Sequence, residues 1–303
     1  MKAIMVVGTT SHAGKSLLVT ALCRMLSRRG WRVAPFKGQN TTPSAYVTAN
    51  GAEIGYTQAV QAWAAGVSPQ AEMNPVLLKP QGNTTSQVII KGRPVGQTTA
   101  THYHETYFES GWQAVQESLA RLGQDFDLLI CEGDGNPAEI NIKQRDLANM
   151  RIATALKAPT ILVADIDRGG AFAHIVGTLE LLAPEERALV KGIIINKFSG
   201  QKSLLQPGLD WIEERTGIPV LGVIPWIDGA FPAEDSLSLM ERPVEKQSAE
   251  LNIAVIRLPR ISNFTDFDPL EAEPSVNVRY LSPKDDLGRS EERRVGKECR
   301  SRW

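Results

Sequence analysis

Gly8-Thr-Thr-Ser-His-Ala-Gly-Lys-Ser16 follows the apolar run 3–7 and precedes a helical pattern, and this order of strand, glycine-rich loop and helix decides the fold. Glycines let backbone N–H groups wrap a phosphate, and the helix N-terminus adds the positive end of its dipole. Lys15 adds a point charge and the Ser16 hydroxyl suits Mg2+. Gly8, Thr9, Thr10, Ser11, Ala13, Gly14, Lys15 and Ser16 are therefore the expected nucleotide-binding residues. The loop departs from the strict G-x-x-x-x-G-K-[ST] signature, because five residues separate Gly8 from Gly14 where four are usual.

Around this loop, short apolar runs at 32–36, 128–131, 160–164, 192–196 and 220–224 alternate with helical patterns. Such alternation predicts a doubly wound, mostly parallel sheet with helices on both faces. In the first helix Leu17, Leu18, Ala21, Leu22, Met25 and Leu26 are expected to form the apolar stripe, and Gly30 to end it. The runs at 128 and 160 lack polar alternation, as central strands do, so their C-terminal ends should open on the ligand crevice.

A chain of 303 residues with 42% apolar content can fill a sizeable core. No run of eighteen apolar residues and no secretion leader is present, so no membrane association is expected and the default address is the cytoplasm. The last fifteen residues, 289–303, are charged and helix-like, and they match the peptide that one frame of a sequencing adapter encodes. They are read as an artefact, a basic interaction tail being the rival reading. Without them 27 basic face 31 acidic side chains, a net charge of −4, which gives no reason to expect a nucleic-acid partner.

Four polar clusters sit at expected strand ends: Lys37-Gly-Gln-Asn40, Cys131-Glu-Gly-Asp-Gly-Asn-Pro-Ala-Glu-Ile-Asn-Ile142, Asp165-Ile-Asp-Arg-Gly-Gly170 and Asn196-Lys-Phe198. In a doubly wound sheet these ends converge. Glu132 stands where a P-loop enzyme places a carboxylate on Mg2+ or its water. Asp165 and Asp167 also read as turn carboxylates pairing with Arg168, and Asn196 as a strand-end cap. His102-Tyr-His104 would share a face on a strand, but without a third ligand a surface pair is the better reading. Around 239–250 the pattern turns polar, as in a linker, and 251–288 opens a second α/β unit with strands at 252–258 and 276–281.

The segments GTTSHAGKS, KGQN, EIGYTQ, MNPVLLKP, SQVI, EGDGNPAEIN, DLANM, LVADIDRGGAFA, INKF and RLPRISNFTDFDPL occur in that order. On these motifs residues 1–288 resemble the cobyric acid synthase family, whose nucleotide domain is dethiobiotin synthetase-like. The resemblance implies an ATP-binding amidoligase domain over 1–238 and the start of a truncated glutaminase domain over 251–288. It also implies amidation of the b, d, e and g carboxylates of adenosylcobyrinic acid a,c-diamide through acyl phosphates, with ATP and Mg2+. Ammonia comes from glutamine through the glutaminase. By the same resemblance Lys15, Lys37, Glu132 and Asp165 are catalytic, Ser16 and Glu132 hold the metal, and Asn196 meets adenine. Asn40, Asn136, Glu139, Asn141 and Arg168 are the candidates that the resemblance implies for the corrin side.

The resemblance has departures. Asp134 stands where the family carries alanine, and Ser199-Gly-Gln201 where it carries Arg-Gly-Asp. The alternatives are a related P-loop ligase, cobyrinic acid a,c-diamide synthase or dethiobiotin synthetase, and a switch ATPase of the MinD/ParA type. The latter usually has a lysine early in the loop, and this chain has Thr9-Thr10-Ser11. Cys23, Cys131 and Cys299 all lack the tight glycine-flanked turn of a glutaminase nucleophile, so this chain is expected to use free ammonia and not glutamine.

Overall fold

The computed structural model describes residues 1–81, 84–141, 143–227, 249–258, 261–286, 292–295 and 297–298. β1 (Lys2–Gly8) enters the phosphate loop, which turns into α1 (Lys15–Arg28), and β2 (Val33–Phe36) follows. Three short strands, β3 (Gln39–Thr41), β4 (Ala45–Val47) and β5 (Glu53–Gly55), lead into α2 (Tyr56–Ala65). Then β6 (Val76–Pro80), β7 (Thr85–Ile90) and β8 (Arg93–Thr99) precede α3 (Ala100–Thr106) and α4 (Phe108–Asp125). The series closes with β9 (Leu128–Glu132), α5 (Met150–Leu156), β10 (Thr160–Asp165), α6 (Ala171–Leu181), α7 (Pro184–Arg187), β11 (Val190–Phe198), α8 (Lys202–Thr216) and β12 (Val220–Pro225).

The six strands expected from the alternation form one parallel sheet in the order β12-β11-β10-β1-β9-β2. β1 lies between β9 and β10, so the chain winds away from it in both directions and a crevice opens at the C-terminal strand ends. Every residue of β9 is buried, as a strand covered on both faces requires. Along β1, Met5 and Val7 join one core cluster and Val6 the other, so successive side chains feed the two helical layers. Each such fully buried aliphatic side chain contributes roughly 1.5–3 kcal/mol.

The apolar stripe of α1 is turned from the expected one. Val19 and Cys23 are its buried residues, with Leu18, Leu22 and Leu26 beside them, whereas Ala21 and Met25 face solvent. The helix must lay Lys15 and Val19 inward to deliver the loop, and that fixes its rotation. It stops at Arg28, and Gly30 takes a left-handed φ of 86° just beyond.

A second sheet, β3-β6-β7-β8, was not among the expected strands. Its last three strands form an antiparallel meander, and β3 joins it in parallel straight after β2 and Lys37. His102 lies on α3, so 102–104 are helical and not extended, and its side chain is exposed.

In the second unit β13 (Leu251–Ile256) pairs in parallel with β15 (Val276–Leu281). The two-residue strand β14 (Ile261–Ser262) and α9 (Asp268–Ala272) lie between them. Ile253, Val255, Ile261, Phe264 and Val276 form a small core of their own. The backbone at β16 (Glu292–Val295) and β17 (Lys297–Glu298) is extended, not helical as the tail composition suggested. Of the expected linker 239–250, only 249–250 fall within the described residues. Asn263, at a left-handed φ of 50°, ties this unit to the first: its Oδ1 accepts from the Ala45 N–H at 3.3 Å and its Nδ2 donates to the Ala45 carbonyl at 3.5 Å.

Candidate functional site

The phosphate loop is held by its neighbours as much as by its own sequence. Lys15 is buried, and its Nζ donates to the carbonyls of Thr10 and Gly135, each at 3.3 Å. Gly14 has φ 95°, and a Cβ there would lie 2.0 Å from Asn196 Nδ2. That amide donates to the Ala13 carbonyl at 2.8 Å. Glycine is thus required twice at this position, by conformation and by space.

At the end of β9 the carboxylate of Glu132 is fully buried and receives three donors. Ser16 Oγ donates to Oε1 at 2.9 Å, Lys37 Nζ lies 3.3 Å from the same oxygen, and Gln61 Nε2 donates to Oε2 at 2.5 Å. The elements explain the convergence: Ser16 opens α1, Lys37 follows β2, and Gln61 projects from α2. Lys37 is fixed by its backbone, whose N–H donates to the Met73 carbonyl and whose carbonyl accepts from Asn74 Nδ2 at 3.0 Å. Gln61 was not among the expected site residues. Asp134 lies 3.8 Å from Lys37 Nζ, so this acid faces a cation.

Several residues expected to meet ligands also brace the loop and its surroundings. Asn196 is buried beneath the loop, and its Nδ2 donates to the Ala13 carbonyl. Asn136 donates to the Thr9 carbonyl at 2.7 Å and to Thr178 Oγ1 at 3.0 Å, and its Oδ1 accepts from Ala138 N–H at 2.7 Å. Asn40 is buried against Gln58, 3.0 Å away. Asp165 accepts from Lys197 Nζ at 2.7 Å on one oxygen and from the Asp167 N–H at 2.9 Å on the other. Arg168 stands 3.8 Å from it, so the turn-carboxylate reading fits and Lys197 is the closer cation. Asn136 and Glu139 line a cleft beside the loop, whereas Asn141 is exposed outside that lining.

Asn149 staples the segment after Glu132. Its Oδ1 accepts from the Asp134 N–H at 3.0 Å and its Nδ2 donates to the Asp134 carbonyl at 2.8 Å. A Cβ on Gly133 would lie 2.2 Å from that Oδ1. Asp146 in turn accepts from the N–H groups of Ala148, Asn149 and Arg151. Burial pushes its carboxyl above the usual range in spite of these bonds.

The residues present fit a nucleotide and its metal. Among the described residues the buried hydroxyls of Thr9 and Thr10 in the loop have no hydrogen-bond partner, and a phosphate oxygen would satisfy them. Ser16 and Glu132 offer the hard oxygen donors that Mg2+ prefers alongside phosphate and water. No group of three His, Cys, Asp or Glu side chains forms a metal cage among the described residues. Cys23 is buried within α1 and Cys131 within β9; burial raises both thiols, Cys131 to about 12. Cys299 lies outside the described residues.

A family model described as the CobQ/CobB/MinD/ParA nucleotide binding domain matches residues 4–237, and one described as a CobB/CobQ-like glutamine amidotransferase domain matches 252–295. The chain is 72% identical over 288 residues to the cobyric acid synthase of Trichormus variabilis and 67% identical to that of Synechococcus elongatus. These alignments cover 95% of this chain and 59% of each relative, so the chain spans about three fifths of their length. Among solved structures, the signal recognition particle receptor FtsY from Elizabethkingia anophelis aligns with a TM-score of 0.45 at 15% identity, covering 75% of this chain and 59% of FtsY. No helix among the described residues is long and apolar enough to cross a membrane.

Proposed function

Because the chain belongs to the family of CobQ/CobB/MinD/ParA nucleotide binding domains, we propose that it is the ATP-dependent amidating portion of a cobyric acid synthase. On this reading 1–238 form the amidoligase unit, 239–250 a linker and 251–288 the opening of a glutaminase unit. The acceptor is adenosylcobyrinic acid a,c-diamide. The observation that carries the proposal is the buried Glu132 carboxylate at the mouth of the phosphate loop, held by Ser16, Lys37 and Gln61.

A carboxylate resists attack by ammonia, so the γ-phosphoryl must first be placed on it to create a leaving group. Nearly all the catalytic work is then positioning and charge stabilisation. Lys15 reaches across the loop and binds the β- and γ-phosphates in place of its two carbonyl partners. Mg2+ supplies neutralisation of phosphate charge, and Ser16 Oγ and Glu132 would hold it or its water. Lys37 stabilises the phosphoryl oxygens as the acceptor carboxylate oxygen bonds to phosphorus and ADP leaves. Ammonia then attacks the acyl carbon, phosphate departs, and a proton is lost as the amide forms.

The test is incubation with Mg-ATP, ammonium and adenosylcobyrinic acid a,c-diamide, with the corrin followed by mass spectrometry. Stepwise conversion of acid to amide, lost in Lys15→Ala, is the expected result. ATP hydrolysis with the corrin mass unchanged would sink the proposal in favour of a switch ATPase or a related ligase.

A further inference from the structure

Amidation at the phosphate loop engages one arm of the acceptor and leaves its body to be held elsewhere. An open cleft of about 390 Å³ adjoins the loop. Ser11 of the loop and the 134–137 segment line it, as do Leu78 and Thr98 of the meander, Tyr103 of α3, and Arg145 in the turn before α5. We infer that this cleft receives one edge of the acceptor's body, and that Arg145 anchors an acceptor carboxylate other than the one being amidated. The inference rests on the amidation reading above.

The charges in the cleft single out Arg145. Lys143 is already paired, with Glu186 at 2.7 Å, and the Asp146 carboxylate is taken up by three backbone N–H groups. Arg145 is exposed, and no hydrogen bond or ion pair holds its guanidinium among the described residues. A guanidinium with its donors uncommitted is matched by a carboxylate, which it binds through two parallel hydrogen bonds. The rest of the lining is mixed: Leu78, Pro137, Tyr103 and Leu147 offer apolar surface, while Thr98, Thr99 and Ser86 offer hydroxyls. Such a wall suits a largely apolar body carrying separate anionic arms, and suits a compact polyanion poorly, since Asp134 and Glu139 share the cleft. Because Ser11 and Arg145 line the same space, a ligand that fills it reaches the phosphate loop with one arm and the guanidinium with another. The amide staples from Asn149 and Asn136 hold the intervening wall rigid.

The test is equilibrium dialysis of the full chain against adenosylcobyrinic acid a,c-diamide, read by the corrin's own absorbance, with ATP binding measured in parallel. Arg145→Glu is expected to weaken corrin binding about tenfold or more while ATP affinity is unchanged, and Arg145→Lys to recover part of the loss. Thr98→Trp, which fills the cleft from the meander side without touching the loop, is expected to weaken corrin binding as strongly. If the wild type binds corrin and both Arg145→Glu and Thr98→Trp bind it equally well, the placement is overturned while the amidation reading stands. If Thr98→Trp alone weakens binding, the anchoring role of Arg145 is overturned. If the wild type binds ATP and no corrin, the amidation reading fails and takes this inference with it.

Discussion

Lys37 and Glu132 form a buried ion pair, Nζ to Oε1 3.3 Å, with side chains 1% and 0% exposed. With both side chains out of solvent, Glu132 depends on Lys37, Ser16 and Gln61, and Lys37 depends on Glu132, with Asp134 at 3.8 Å. Removing one partner of such a pair typically costs about 3–5 kcal/mol, because the other charge is left uncompensated. Lys37→Met should therefore lower stability by about that much in urea unfolding. The double change Lys37→Met with Glu132→Leu should be less destabilised than Lys37→Met alone, and inactive. Strictly additive losses would show that the two charges do not depend on each other.

Gly14→Ala forces a methyl group into Asn196 and holds alanine at φ 95°. The backbone strain alone is of order 1–3 kcal/mol. Thermal unfolding should show a lowered midpoint, and ATP binding should weaken with it. Adding Asn196→Ala should relieve the collision but not the strain, so stability should return only in part. Full recovery would mean that the left-handed backbone costs nothing here.

Asp146 predicts a pH dependence. Burial raises its folded-state pKa above the unfolded value. Its contribution to stability is thus fully present below the unfolded pKa and is lost as pH rises through the folded one. Asp146→Asn, which keeps an acceptor oxygen for the loop N–H groups, should gain on the wild type as pH is raised from acidic to neutral. Urea midpoints of the two proteins at each pH provide the check; a variant that falls further behind as pH rises would contradict the assignment.

The two described thiols should be inert. Cys23 and Cys131 are buried and their thiolates disfavoured, so neither should react with a thiol reagent in a Cys299→Ser background until the protein unfolds. The same chain should amidate with ammonium and leave glutamine intact. Release of glutamate by purified protein would refute that expectation.

The strand-loop-helix order and the carboxylate after a fully apolar strand were legible because each depends on a few neighbouring residues, as Gly8 to Ser16 and Glu132 do. Gln61 was not legible: it lies within α2, three residues beyond the EIGYTQ segment, and which face of that helix meets Glu132 is fixed by how α2 packs. The three asparagines show a different limit. Asn40, Asn136 and Asn196 sit in polar clusters at strand ends, where an amide that carries a ligand and one that braces a loop have the same sequence signature. The meander escaped notice although it left a mark, since Lys91 and Gly92 both take positive φ, 47° and 75°, as a two-residue hairpin turn demands. A Lys-Gly pair is a weaker signal of that turn than Asn-Gly.

Asn263 lends its side-chain amide to Ala45 as though it were one more rung of the β4–β5 ladder. The seam between the two units is therefore sewn into a hairpin that runs directly into α2 and the glutamine facing Glu132. Trimming the protein before Ile261 would not give a clean half. It would strip a rung from an edge, hand Ala45's N–H and carbonyl to solvent, and leave that edge open to adhesion with other chains.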